Sequence, residues 1–92
     1  MTRLSDSDLS NALKSLDGWA SAEGEISKTY SFKDFVESVG FVNRLAELAE
    51  KAQHHPDIDI RFNKVKIGLT THDEGGISDK DTALAAQIDS VA

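Results

Sequence analysis

The only three histidines of the 92-residue chain fall within one short stretch, at His54, His55 and His72. Histidine is the side chain that gains and loses a proton near neutral pH, so a group of histidines suits general acid/base catalysis. A lone histidine is more often a structural or surface residue. Whether these three act together depends on whether the fold brings them to one place.

A zinc site is the alternative interpretation of three histidines. His54 and His55 are adjacent, however, so both would have to turn toward the same ion. The chain also has no cysteine, which excludes a thiolate ligand, a disulfide and a cysteine nucleophile. We therefore prefer proton transfer without a bound metal.

Two carboxylates have a spacing that allows them to assist the histidines. Glu50 precedes His54 by four residues and so can pair with it on a helix surface. Asp81 follows Ser78 by three residues, which is the spacing of a capping box at a helix start. Asp81 is therefore either a helix cap or a histidine partner, and both interpretations stay open.

Apolar periodicity predicts the elements that would position these residues. In chain order they are a helix over 5–17, two strands within 19–32 around a turn at Glu23-Gly24, a helix over 33–53, a hairpin over 57–72 with its turn at Asn63-Lys64, and a helix over 79–91 that Ser78 caps. The order α-β-β-α-β-β-α predicts an α+β fold in which three helices cover one face of a four-stranded antiparallel sheet. We expect a single domain over residues 1–92.

The helix over 33–53 has an apolar face wide enough to cover a sheet and also a neighbouring subunit. Two stripes form this face, one of Phe35, Val39, Val42, Ala46 and Ala49, and one of Phe41, Leu45, Leu48 and Ala52. Pro56 restricts His55 to an extended conformation, so the helix should end at about His54.

The hairpin over 57–72 supplies the link between the histidines. Apolar and polar residues alternate along both of its strands, with Ile58, Ile60 and Phe62 on the first and Val65, Ile67 and Leu69 on the second. An antiparallel hairpin returns the chain to the level at which it began. We therefore expect His72, at the end of the second strand, to lie beside His54 and His55.

Composition excludes several classes of function. The chain carries 16 acidic against 10 basic residues, a formal net charge of −6, so it lacks the basic surface of a protein that binds nucleic acid directly. The same charge disfavours attachment to a membrane surface, and no apolar run is long enough to cross a bilayer. The first residues lack the apolar segment of a signal peptide, so we expect a cytoplasmic protein.

A series of spaced residues resembles the signature of the pterin-4a-carbinolamine dehydratase family. It consists of Glu50-Lys-Ala-Gln-His54-His55-Pro56, five residues, Phe62, nine residues, His72, eight residues and Asp81. The segment from Thr71 to Asp81 resembles a second block of that family, and the predicted order of elements matches its fold. Gln53, Ile58 and Lys80 depart from the residues that are common in the family.

The resemblance implies a hydro-lyase that converts 4a-hydroxytetrahydrobiopterin, the pterin-4a-carbinolamine, to quinonoid dihydropterin and water during tetrahydrobiopterin recycling. It implies that His54, His55 and His72 are the acid/base groups and that Glu50 and Asp81 support them. The pterin would rest against Pro56 and against the segment that contains Thr71, Asp73 and Glu74. The pterin is the substrate, so no cofactor and no metal is expected.

The resemblance further implies a homodimer that joins sheet edges or a homotetramer that adds packed helices. A chain of this size buries a modest core, and oligomerisation is a common source of extra stability. The alternative function is a protein-interaction module or transcriptional coactivator of the same fold with little or no catalysis. Such a module would use an exposed helical face, which the helix over 33–53 would provide.

Overall fold

The structure is a computed structural model that describes residues 3–92. Its elements are α1 (Asp6–Leu13), β1 (Ala20–Ala22), β2 (Glu25–Ser31), α2 (Phe35–Ala52), β3 (Asp57–Arg61), β4 (Lys64–Leu69), a short 3-10 helix (His72–Glu74) and α3 (Asp79–Val91). The predicted order of helices and strands is thus confirmed. No helix within residues 3–92 combines the length and the apolar character that crossing a bilayer requires.

All four strands form one antiparallel sheet in the order β1-β2-β4-β3. Ile26 of β2 pairs with Leu69 of β4, and Ile58 of β3 pairs with Ile67. The short β1 and the longer β3 are the two edges of the sheet. The carboxyl end of β4 therefore lies beside the start of β3, as the hairpin pattern predicted.

The core lies between one face of the sheet and the helices. Ile26, Val65 and Ile67 from the sheet are fully buried, together with Phe41 of α2 and Ile88 of α3. Apolar side chains alternate with polar ones along β4, so its other face carries Lys64 and Lys66. This alternation explains why the helices cover only one side of the sheet.

The first helix is shorter than predicted. It ends at Leu13 rather than residue 17, and turns continue the chain to Gly18. Leu16 is nevertheless buried in the core, so its apolar position is used by a turn that follows the helix and not by the helix itself. Gly18 adopts a φ of 84°, a left-handed conformation that glycine adopts without strain.

The strands within 19–32 meet at Glu23-Gly24 as predicted, since Ala22 pairs directly with Glu25. Both turn residues have positive φ, at 55° and 81°, which matches the twist of the flanking strands.

The long helix α2 buries a narrower face than its sequence suggested. Phe41, Leu45 and Ala49 are buried, whereas Phe35 is 52% exposed and Ala46 is also exposed. Part of the predicted apolar face is therefore left exposed by the rest of residues 3–92.

The end of α2 follows a geometry that places the next residues. Gln53 adopts a left-handed conformation with φ 50° and ψ 42°. The His54 amide donates to the Ala49 carbonyl and the Gln53 amide to the Glu50 carbonyl, a Schellman motif. The helix ends at Ala52, close to the predicted end at His54, and the chain reverses sharply at one residue.

The turn of the second hairpin differs from the prediction by one residue. Arg61 pairs with Lys64, so the loop is Phe62-Asn63 rather than Asn63-Lys64. Phe62 takes a positive φ of 54° and is 67% exposed, and Ile58 is 40% exposed. Ile58 pairs with the buried Ile67 and so lies on the core face of the sheet as predicted, but it is on an edge strand and only partly covered. Phe62 was expected on the same face and instead lies in the turn.

The second strand of the hairpin ends earlier than predicted. It stops at Leu69, and His72 begins the short 3-10 helix instead of ending the strand. Backbone hydrogen bonds in both directions between Thr71 and Gly76 close the loop that contains His72. The predicted start of α3 is confirmed, with Ser78 as N-cap and a complete capping box with Asp81.

A polar cluster joins α3 to the sheet at the other end of the helix. The Asp89 carboxylate accepts hydrogen bonds from Trp19 Nε1 at 3.2 Å, from Lys28 Nζ at 2.9 Å and from the Tyr30 hydroxyl. Lys28 lies between Ile26 and Tyr30 on the core-facing side of β2, and from there its side chain reaches this carboxylate.

The cluster shifts two pKa values. Burial, strengthened by the hydrogen bond and charge of Asp89, raises the pKa of the Tyr30 hydroxyl well above its ordinary value. Burial alone would raise the pKa of the Asp89 carboxyl, but the hydrogen bonds from Tyr30, Lys28 and Trp19 outweigh it and hold that pKa below its ordinary value.

Candidate active site

A cleft of about 270 Å³ opens at the end of the sheet where β4 finishes and β3 begins. The side chains of His54, His55 and His72 all line it. The other lining residues are Gln53, Thr70, Thr71, Asp73 and Lys80. The hairpin thus brings the three histidines to one place, as its pattern predicted.

His54 is held by a buried carboxylate. Its Nε2 atom lies 2.5 Å from Oδ1 of Asp81, and the side chains are 12% and 0% exposed respectively. A carboxylate only accepts hydrogen bonds, so Nε2 of His54 carries the proton in this contact. The Nδ1 atom is then the nitrogen that is left to exchange a proton with a bound molecule.

The second oxygen of Asp81 is also fully engaged. Oδ2 accepts hydrogen bonds from the Thr71 hydroxyl at 2.8 Å and from the Ser78 amide at 2.9 Å. Asp81 therefore has both of the functions that the sequence left open, because one oxygen caps α3 while the other contacts His54.

His55 has a different carboxylate partner from its neighbour. Its Nε2 atom hydrogen-bonds the Glu50 side chain, and both side chains are largely exposed, at 63% and 76%. The sequence spacing predicted that Glu50 would pair with His54, and this is wrong. The left-handed Gln53 turns the chain so that His54 points toward α3 while His55 returns over the last turn of α2.

His72 lines the same cleft from the start of the closed 71–76 loop. Its side chain is exposed, and its ring has no hydrogen-bond partner within the described part of the chain. Two histidines of the cleft are therefore held by carboxylates, and the third is open to solvent and to a ligand.

The remaining residues singled out by the sequence divide into two groups. Thr71 and Asp73 line the cleft, whereas Glu50, Pro56, Glu74 and Asp81 are not part of its wall. Glu50 and Asp81 still reach the site through the histidines that they contact. The aromatic residue of the motif, Phe62, lies at the far end of β3 in the hairpin turn, away from the cleft.

Three lining residues were not assigned a role by the sequence, and one of them, Gln53, forms the left-handed end of α2. Lys80 brings a cation to the rim from the first turn of α3, and Thr70 contributes a hydroxyl group that donates to the Gly24 carbonyl. Lys80 stands where arginine is common in the resembled family, and this shared positive charge could have indicated a role for Lys80 in the site. Nothing in the pattern around Thr70 distinguished it from an ordinary residue at a strand end.

The arrangement suits proton transfer to and from a flat polar molecule. Three imidazoles surround one opening, and two of them have a carboxylate that fixes the ring. Among residues 3–92, no three His, Cys, Asp or Glu side chains are grouped so that they could hold a metal ion.

Comparison with known proteins gives a family match over nearly the whole chain. Residues 2–91 match the family described as "Pterin 4 alpha carbinolamine dehydratase". A protein of Thermomicrobium roseum named "Putative pterin-4-alpha-carbinolamine dehydratase" is 48% identical over 92 residues, covering 100% of this chain and 99% of its own. A Herpetosiphon aurantiacus protein of the same name is 50% identical over 91 residues, covering 99% and 95%.

Two solved structures resemble the chain. A Brucella melitensis protein described as a transcriptional coactivator/pterin dehydratase superposes with a TM-score of 0.95 at 35% identity and covers 99% of both chains. A pterin dehydratase-like protein described as a RuBisCO assembly factor of the alpha-carboxysome superposes with a TM-score of 0.70. That second likeness, at 24% identity over 82% of this chain and 89% of the other, extends to the fold alone.

Proposed function

The chain belongs to the pterin 4 alpha carbinolamine dehydratase family, and we propose that it is a catalytically active member that dehydrates 4a-hydroxytetrahydropterin to quinonoid dihydropterin. The observation that carries the proposal is the meeting of His54, His55 and His72 at one cleft, with Asp81 buried behind the first of them. A module that only bound other proteins would have no use for imidazoles fixed around an opening of this kind.

The reaction needs one proton donor and one proton acceptor. As the C4a–O bond breaks, a protonated imidazole gives its proton to the departing hydroxyl, which leaves as water. A neutral imidazole takes the proton from N5, and the electron pair of that N–H bond forms the new C4a=N5 double bond. Protons and electrons balance within the substrate and two histidines, so we expect no metal and no cofactor.

The geometry indicates which histidine nitrogens are available to exchange protons with a bound pterin. Nδ1 of His54 and Nδ1 of His55 are the free nitrogens on one wall, because carboxylates hold both Nε2 atoms. His72 lines the same cleft from a different element, the 3-10 helix after β4. A flat heterocycle in the cleft would therefore meet proton-transfer groups from two parts of the chain.

The pterin itself would be held by the polar lining of the cleft. Asp73 lines the cleft directly after His72 in the 3-10 helix and would accept hydrogen bonds from the amino and ring N–H groups of a pterin. Glu74, the next residue, lies outside the cleft wall, and the family resemblance gives it the same role. Pro56, directly after the histidine pair, would offer an apolar surface to the ring. These contacts follow the family resemblance, and a structure with a bound dihydropterin would test them.

The direct test is to mix the protein with synthetic carbinolamine and follow quinonoid formation by absorbance. We expect clear acceleration over buffer at neutral pH. His54→Ala and His72→Ala should each lower the rate by about 10²–10⁴-fold, the usual contribution of a general acid or base. Glu47→Ala, on the exposed side of α2, is a control that should leave the rate unchanged. No acceleration by the unmodified protein would overturn the proposal.

A protein-interaction role is the second candidate, favoured by the Brucella melitensis relative, whose description includes the word coactivator. Phe35 and Val36, at the start of α2, are 52% and 78% exposed and would suit an apolar contact with another protein. A stoichiometric protein partner that co-purifies with a chain unable to turn over the carbinolamine would favour this candidate over the dehydratase.

A further inference from the structure

The hydroxyl group of Thr71 is buried in the network behind the candidate site. Thr71 is 5% exposed, and its Oγ1 atom donates to Oδ2 of Asp81 at 2.8 Å. The same atom lies 2.8 Å from Oγ of Ser78, which is 0% exposed. The hydroxyl is therefore committed to partners inside the protein, although the residue borders the cleft.

Thr71 also begins the loop that carries His72. Its amide donates to the Gly76 carbonyl at 3.0 Å, and its carbonyl accepts from the amides of Gly76 and Glu74. His72 is the next residue in the chain, so its backbone position depends on the same closed loop. One residue thus makes backbone bonds that hold the His72 loop and a side-chain bond that holds Asp81.

The side-chain bond connects Thr71 to the carboxylate that holds the first histidine of the cleft. Asp81 receives Thr71 on one oxygen and contacts His54 with the other. The path from His72 through Thr71 and Asp81 to His54 is covalent or hydrogen-bonded at every step. The other donor to Oδ2 is the Ser78 amide at the start of α3, a residue whose side-chain oxygen also contacts the Thr71 hydroxyl.

From this path we propose that the Thr71 hydroxyl is a positioning group that orients the His54 ring through Asp81 and fixes its placement relative to His72. The proposal rests on the proposed function for its effect on rate, but the orientation of the ring is independent of it. It assigns the hydroxyl a task distinct from the pterin contact that the family resemblance implies for this segment. Hydrogen bonds to a carboxylate that holds a histidine fix the ring and its tautomer.

The first experiment compares Thr71→Val, which has nearly the same shape without the hydroxyl, with Thr71→Ser, which keeps the hydroxyl. Thr82→Val is the matched control, because its hydroxyl bonds only the Asp79 carbonyl at 3.3 Å on the surface of α3. We expect kcat to fall by about 10–100-fold in Thr71→Val with little change in KM, as for other groups that orient a functional histidine. Thr71→Ser should recover most of the loss, and Thr82→Val should match the unmodified protein.

The second experiment measures the ring itself by NMR of ¹⁵N-labelled histidine. In Thr71→Val the ring nitrogens of His54 should change chemical shift, while those of His55, held by Glu50, stay unchanged. A general loss of folded structure would change the resonances of all the histidine rings and not those of His54 alone. If Thr71→Val does not fold, Thr71→Ala and Thr71→Ser form an alternative pair in which only the second has a hydroxyl.

Unchanged His54 resonances in Thr71→Val, or an increase in KM with kcat intact, would overturn the proposal, the latter because it indicates a direct contact with the pterin. If the unmodified protein does not turn over the carbinolamine, the proposed function fails, and the NMR comparison alone decides the positioning role. A selective shift of His54 would then still support it.

Discussion

The carboxylate of Asp81 contacts Nε2 of His54 at 2.5 Å with one oxygen and caps α3 with the other. The start of α3 and the ring of His54 therefore both depend on one buried side chain, that of Asp81. A change at this position should affect stability and activity together, in contrast to a change at an exposed acidic residue nearby.

We expect Asp81→Asn to lower the dehydration rate by roughly 10–100-fold, because an amide cannot accept hydrogen bonds on both of its ends. The mismatched amide should also lower the free energy of unfolding by about 1–3 kcal/mol, the cost of a buried polar group without its partner. Asp79→Asn, exposed in the same first turn, should retain the rate and lose only about 0.3–1 kcal/mol from the helix dipole. Urea denaturation and the absorbance assay measure both effects, and equal behaviour of the two variants would contradict the expectation.

Glu50→Gln should have little effect on stability. Glu50 and His55 are largely exposed, and surface ion pairs contribute about 0–1 kcal/mol. The rate should fall less than in Asp81→Asn, because solvent can replace the Glu50 contact but cannot reach the buried Asp81. A loss of activity in Glu50→Gln as large as that in Asp81→Asn would show that exposure is a poor guide to the importance of these carboxylates.

These two carboxylates also show how far the sequence predicts the site. Strand alternation and the hairpin rule were sufficient to bring His72 to the histidine pair. They did not predict which carboxylate serves which ring, since that depends on the left-handed conformation of Gln53, a residue type that gives no signal for it. The contact between Asp81 and His54 joins residues 27 positions apart, and local spacing predicts only the cap.

The fold was predicted more fully than its boundaries. Period-two alternation identified β2 and β4 because the helices bury one face of each. It placed Ile58 on the correct face but did not predict its exposure, because an edge strand with apolar residues has the same pattern as a covered one. The turn at Phe62 was missed because phenylalanine rarely takes a positive φ, so turn chemistry pointed to the next residue.

The Asp89 cluster should make stability dependent on pH at the acid end. The pKa of Asp89 is lower in the folded chain, so the unfolded chain binds more protons between the two pKa values. The stability from this group is fully present above its ordinary pKa of about 3.9 and is lost as the pH falls toward the folded value.

Asp89→Asn should therefore lower the free energy of unfolding at neutral pH by about 1–3 kcal/mol and flatten its decrease below about pH 4. Fluorescence of Trp19, the only tryptophan, reports unfolding in urea at each pH. Asp17→Asn, at an exposed position, is the control and should keep the slope of the unmodified protein.

At the alkaline end, Tyr30 should resist ionisation while the chain is folded. Its pKa is raised, so the folded chain keeps the proton where the unfolded chain loses it, and stability decreases as the pH rises above about 10. Because Tyr30 is the only tyrosine, tyrosinate absorbance reports it alone. The folded protein should show none at a pH where the chain in urea shows the full signal. Ionisation at the same pH in both states would contradict this.

The exposed apolar residues of α2 lead us to expect a homodimer or homotetramer. Light scattering should give a mass that is a multiple of one chain, and Phe35→Ser should reduce that mass, since the Phe35 side chain is 52% exposed. Lys51→Ala, an exposed position on the same helix, should leave the mass unchanged. A single-chain mass for the unmodified protein at high concentration would rule out the expected assembly.

The left-handed backbone conformation of Gln53 determines the directions in which the neighbouring rings of His54 and His55 point. The side chain there is free to vary among residues that tolerate this conformation, such as glycine, asparagine or aspartate. A β-branched residue such as valine disfavours a left-handed conformation. It would therefore redirect both histidine rings at once, although the histidines themselves would be unchanged. A substitution at this position would therefore disturb the candidate site while all three histidines remain in the sequence.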